Sequence, residues 1–354
     1  MSNDQLAFIG TYTRLGSEGI YTLRLDGNTG ELRQISVAKG LENPSFVALD
    51  PSGDHLYAVS ESSSFNGAGG ITAFKVNRST GELSKINERS TGGPGPCHLM
   101  VDATDSMVIV TNYAGGSVSA HPIGEDGSIG DFTEFVQHEG SSVHPDRQDR
   151  SHAHSVNIDK SNRFAFVCDL GMDQVLTYKI DPAGGRLTLS STVNETPGHG
   201  PRHFTFHPTN QQVYVLNEIG CTITLYDLSN DGTLTPIQSV PTLPSDWLGQ
   251  NTTADIHVSP DGKYIYASNR GHDSIVIFAI DQSNGAMTFV GHESTQGNTP
   301  RNFAITPDGK FLLAENQDSD TIVSFKIEDD GTLTATGSVI NVPAPVCMQF
   351  LSIE

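Results

Sequence analysis

The stretch GPRHFTFHPTNQQVYVLNE, Gly200 to Glu218, decides how the rest of the chain is read. FTF and VYVL are short β-prone runs, and HPTN between them has proline in second position, as a turn does. The segment therefore reads as a β-hairpin. Arg202 and His203 open its first strand, and Asn217 and Glu218 close its second. An antiparallel hairpin brings its start beside its end, so these four side chains share one edge.

The hairpin recurs with variations. A Gly-x-aliphatic turn appears at Gly30, Gly81, Gly127, Gly185, Gly232, Gly285 and Gly331, with spacings of 51, 46, 58, 47, 53 and 46 residues. Asn, Asp or Ser usually lies just before the glycine, as a tight turn requires. A second turn is interleaved: DPSG at 50–53, SPDG at 259–262, TPDG at 306–309, and HPTN at 207–210. Between turns lie four β-prone runs per unit, such as ADIHVS, YIYASN, SIVIFAI and MTFVG. No stretch reads as an amphipathic helix. Four strands repeated at this period predict an all-β fold, a seven-bladed β-propeller forming a single domain over residues 1–354. The C-terminal PVCMQFLSI reads as the first strand of a blade whose other three strands are LAFIGTYT, GIYTLRL and ELRQIS near the N-terminus. Sharing one blade between the termini closes the ring and removes the sheet ends. The single tryptophan, Trp247, and the absence of a Trp-Asp dipeptide argue against WD40 repeats.

Composition bounds the partners. The 354 residues carry 41 acidic and 20 basic side chains, a net charge of -21. Such a surface excludes nucleic acid and anionic membranes as expected partners. A site for an anion must then be built from a few placed cations. No leader or transmembrane stretch is read, so the expected compartment is the cytoplasm. The four cysteines are widely spaced and read as reduced thiols.

Aligning the units gives columns at one rim of the ring. At the start of the first strand the column reads Ser45, Cys97, His154, Arg202, Ala254, Arg301, followed by Phe46, His98, Ser155, His203, Asp255, Asn302. At the end of the second strand it reads Ser60, Asn112, Asp169, Asn217, Asn269, Asn316, followed by Glu61, Tyr113, Leu170, Glu218, Arg270, Gln317. The asparagines nearly repeat, as residues serving turns and backbone would. The charged residues do not repeat, and broken symmetry in a repeat protein marks a site. Two long connections, around 141–154 and 241–253, reach the same rim, and His144, Arg147 and Arg150 in the first are placed to cap the channel. Arginines in consecutive blades of so acidic a protein point to anion binding. His154 beside them is a candidate for proton transfer. No third ligand is clearly placed beside His152 and His154, so neither a metal nor an organic cofactor is expected.

TNYAGGSVS (111–119), HAHSVNID (152–159), HGPRHFTFHP (199–208), VLNE (215–218), ADIHVSPDGKYIYASNR (254–270) and TPRNF (299–303) together resemble the lactonase family of seven-bladed propellers. That family holds bacterial 6-phosphogluconolactonases and fungal carboxy-muconate cyclases. The resemblance implies a site of one histidine, one glutamate and several arginines, falling on His154, Arg202, Glu218 and Arg270. Around these catalytic candidates, Arg301, Arg147, His203, Asn217, Asn269, Asp255 and Asn112 stand as candidate substrate-binding residues. The implied activity is hydrolysis of a phosphorylated sugar lactone in the pentose phosphate route, by a monomer or small homo-oligomer. The alternatives are a cycloisomerase acting on muconate-type lactones and a non-enzymatic binding propeller.

Overall fold

The computed structural model describes residues 4–13 and 16–353. The reading of the N-terminus as leaderless falls partly on residues 1–3, outside the described ones. The described residues form seven sheets of four antiparallel strands each, arranged as the blades of a ring. We number blades one to six in chain order and letter strands a to d from the channel outwards. Blade four, for example, runs Pro201–Phe206, Gln212–Asn217, Thr222–Leu228 and Leu234–Pro241. Blade seven is shared by the termini: Pro345–Ser352 is its strand a, and it pairs with Gln5–Thr11 from Gln5↔Ser352 to Gly10↔Cys347. Gly19–Leu25 and Leu32–Lys39 complete it. The expected closure of the ring is therefore a hydrogen-bonded ladder. None of the described helices is long and apolar enough to cross a membrane.

The strand patterns follow from packing. Strands b and c lie between two neighbouring blades and are apolar on both faces, as in Phe164–Asp169, which is buried throughout. Strands d at the periphery alternate buried and exposed residues, as in Arg186–Asn194. Among the described residues, seven apolar clusters fill the gaps between neighbouring blades, one in each, and a small eighth joins Tyr12, Ala344 and Val346. The channel at the centre is lined by polar side chains such as His98, His203, Asp255 and Asn302 together with apolar ones such as Phe46, Met100, Phe206 and Met348.

The recurring glycine turn is an inter-blade device. Gly331 has φ +81°, and a Cβ there would lie 2.3 Å from Tyr264 of the preceding blade. Its carbonyl accepts the Tyr266 hydroxyl at 2.9 Å, and Tyr214 reaches Gly285 in the same way. The Pro-containing turns close by i to i+3 hydrogen bonds, with Gly262 N–H donating to Ser259 O at 2.8 Å and Gly309 N–H to Thr306 O at 2.8 Å.

Candidate active site

Six of the seven blades carry an irregularity at the start of strand a; the ladder of blade one is regular. In blades two, three, four and six the ladder slips by one residue at Cys97, His154, Arg202 and Arg301. In blade five it slips between Thr253 and Ile256, and in blade seven at Val346. A β-bulge leaves one residue unpaired and re-aims its side chain. Here it turns one side chain of most blades into the channel mouth. The carbonyls released from the ladder are used by neighbours. His154 O accepts Thr111 Oγ1 at 3.0 Å and the Cys97 thiol at 3.1 Å, and Ala254 O accepts an Arg202 guanidinium N–H.

Around that mouth the structure gathers six of the expected residues. Glu218, with a side chain 5% exposed, ion-pairs with Arg202 Nε at 2.9 Å, with Arg270 at 3.1 Å and with Arg147. Burial alone would raise the Glu218 pKa, but Arg270, Arg202 and Arg147 overcome it and hold the carboxyl far below its usual range. Glu218 is therefore an ionised anchor for three guanidiniums and a poor proton acceptor. His154 makes no side-chain hydrogen bond among the described residues, and its Nδ1 is buried without a partner. Burial and the charge of Arg202 push its pKa well below 6.5, so the ring is neutral at neutral pH. Arg301 has no carboxylate within 4.0 Å among the described residues and lies over the Tyr12 ring at 5.4 Å. Between them is a cavity of about 10 Å3, enough for one water, lined by His154, Arg202, Arg301, Tyr12, Ser45 and Glu61.

Sequence reasoning did not single out three members of this site. Glu61 accepts the Tyr12 hydroxyl at 3.0 Å and Ser45 Oγ at 2.5 Å. Burial raises the Tyr12 pKa to about 12, which keeps it a donor. Tyr113 stacks on His152 at 4.5 Å, meets His154 edge-on at 5.4 Å and accepts Arg147 at 3.2 Å. Glu61 and Tyr113 stand in the Glu218 column, which is the signal that could have found them. Tyr12 is the seventh member of that column, since its N–H bonds Ala344 O just as that of Glu218 bonds Gly200 O. It is hard to see in the sequence because its blade is split between the chain ends. Cys97 also faces the cavity, but burial raises its pKa to about 12, which removes thiolate chemistry.

The remaining candidates lie outside the ion cluster. Asn112, Asn217 and Asn269 are wholly unexposed and tie strands together rather than touching the mouth. Asn217 donates to Thr222 and Thr224, and Asn269 exchanges hydrogen bonds with Thr242. The end of strand b is where backbone groups need partners, and a short amide supplies them. Asp255 lies one layer below the mouth, joined at 2.7 Å to His203, whose ring also lines the cavity. Of the candidate capping residues, Arg147 reaches Glu218 and Tyr113, whereas the Arg150 side chain is 67% exposed and pairs with Asp149, and His144 Nδ1 accepts the Asp146 N–H within its own loop.

Fold and mouth together define a seven-bladed propeller with a polar, arginine-rich mouth at one end of its ring. The chain matches the family "Lactonase, 7-bladed beta-propeller" over residues 6–350 and belongs to it. It is 36% identical over 348 residues to a 6-phosphogluconolactonase of Bacillus subtilis, covering 98% of each chain. It is 39% identical over 300 residues to a 6-phosphogluconolactonase of Formosa agariphila, covering 83% of this chain and 84% of that one. Among solved structures, the periplasmic gluconolactonase of Pseudomonas aeruginosa superposes with a TM-score of 0.94 at 30% identity, covering 99% of this chain and 100% of that one.

Proposed function

We propose that this protein hydrolyses a sugar-acid δ-lactone, 6-phospho-D-glucono-1,5-lactone, to 6-phosphogluconate at this mouth. The observation that carries the reading is a neutral, unpartnered His154 beside a water-sized cavity that Arg202 and Arg301 also line. His154 takes a proton from the water as its oxygen adds to C1 of the lactone. Arg202 and Arg301 donate to the oxyanion that forms. The C1–O5 bond then breaks, and the ring oxygen recovers the proton from His154. One water is consumed and an open-chain acid is released. Glu218 holds the guanidiniums in place, and Arg147 and Arg270 offer the phosphate a cationic rim. The names of the relatives support the substrate class, and a phosphorylated substrate fits the oxidative pentose phosphate route and a cytoplasmic location.

The test is coupled detection of 6-phosphogluconate after chelator treatment, in the native protein, His154→Ala and Arg202→Ala. Native activity should survive chelation and both variants should lose it. Wild-type rates in both variants would remove the site, and loss restored by a divalent metal would remove the metal-free mechanism. Faster turnover of muconolactones would move the reading to the cycloisomerase alternative, and no turnover of any lactone would leave a binding propeller. Fractionation of the native host decides the compartment.

A further inference from the structure

Beneath the mouth, the polar side chains of the channel are connected in one direction. Arg202 NH1 lies 3.0 Å from His203 Nε2. A guanidinium has only donors, so His203 Nε2 must accept. The ring therefore carries its proton on Nδ1, which donates to Asp255 Oδ1 at 2.7 Å. The His203 ring is boxed between the edges of His98 at 5.5 Å and His154 at 5.3 Å.

Asp255 is 3% exposed, and every hydrogen-bond partner of its carboxylate among the described residues is a donor. Its Oδ2 accepts from His257 Nε2 at 2.9 Å, from Asn302 Nδ2 and from the Phe303 N–H at 3.3 Å. Asn302 cannot reverse this role, because its Oδ1 already accepts the Met348 N–H at 3.1 Å. Asp255 is thus the single acceptor on which four donors from blades four, five and six converge.

We propose that Asp255 and His203 are positioning residues for Arg202: the carboxylate fixes the His203 tautomer, and the His203 lone pair fixes the guanidinium between Glu218 and the cavity. The hydrogen bonds run from Arg202 through His203 to Asp255 without a conflict, and the ion pair with Glu218 holds the other side of the guanidinium. Without it, Arg202 would keep its charge and lose its aim. The kinetic part of this role rests on the lactone-hydrolysis reading, while the tautomer is a property of the folded protein alone.

Asp255→Asn is the decisive change. An amide NH2 at the Oδ2 position would face the Asn302 and Phe303 donors, so it has to turn towards His203. There it donates to Nδ1 and drives the proton to Nε2, against the Arg202 N–H. Misplacing a catalytic group by about 1 Å costs on the order of 100-fold in rate. We expect kcat to fall by about that factor with KM changed by less than about threefold, because the lost contact acts in the transition state. His203→Gln offers Arg202 a carbonyl and Asp255 an N–H, and should keep most of the activity that His203→Leu loses. Imidazole nitrogen shifts by NMR should show Nδ1–H in the native protein and Nε2–H in Asp255→Asn, which holds even if no lactone is turned over. Native kcat in Asp255→Asn, an Nε2–H tautomer in the native protein, or equal losses in His203→Gln and His203→Leu would each overturn the proposal.

Discussion

Replacing Glu218 with Gln removes the one carboxylate that three guanidiniums share. The side chains of Glu218 and Arg202 are 5% and 3% exposed, that of Arg270 is 11%, and that of Arg147 is 36%. Removing one partner of a buried pair leaves uncompensated charge and costs about 3–5 kcal/mol. The contact to Arg147 is screened by solvent and adds less than about 1 kcal/mol. Unfolding entropy of about 2.1 cal/mol/K per residue gives roughly 0.7 kcal/mol/K for a chain of 354 residues, so Tm should fall by about 4–7 °C. The effect has a pH signature. Burial raises the Glu218 pKa and the arginines lower it further, so the folded value lies below the usual 4.5. A depressed carboxylate contributes stability that is fully present above the unfolded pKa and lost as pH falls through the folded one. The Tm gap between the native protein and Glu218→Gln should therefore be widest above about pH 5 and shrink below pH 4.5. Scanning calorimetry over that range measures it, and the variant should also lose lactone hydrolysis as Arg202 loses its anchor. A Tm loss under about 1 °C at neutral pH, with activity retained, would show that the arginines are held by other contacts.

Three further outcomes are expected. Arg147→Ala should raise KM for the phosphorylated lactone about tenfold or more while leaving unphosphorylated gluconolactone unchanged, since a charge-assisted hydrogen bond is worth about 1.5–3 kcal/mol; equal effects on both substrates would take the phosphate elsewhere. In a pH profile of kcat/KM, the acid limb should lie below pH 6.5, because burial and Arg202 lower the His154 pKa and the active form is the unprotonated one; a limb at or above that value would point to another base. Asn269→Ala should cost about 1–3 kcal/mol of stability by removing its two hydrogen bonds with Thr242, with KM unchanged, as thermal melts and steady-state kinetics together would show.

Much of the rim was legible because repetition itself supplies the alignment. The inner hairpin recurs, so Arg202, Glu218, Arg270 and His154 stood out as departures from a shared frame, and the structure brings those four together. The columns could not say which members face the mouth. A bulge adds one residue to one strand and reverses which side of the strand the next residues face. Arg202 and His203 are neighbours in sequence, yet one reaches the ion cluster and the other turns to Asp255. Asn269 and Arg270 are also adjacent, and only the second reaches Glu218.

By itself, the sequence determined the elements and their number. Turn glycines, proline-second turns and β-prone runs act through contacts a few residues apart, and a period that repeats seven times leaves one economical ring. Tertiary structure alone decided the chemistry of the mouth. Glu218 meets Arg147 across 71 residues, and Tyr12 meets Glu61 across 49. The direction of the Asp255, His203 and Arg202 hydrogen bonds depends on which donors three different blades present. Such contacts carry no local pattern, because they exist only once the ring has closed and water has been excluded from its channel.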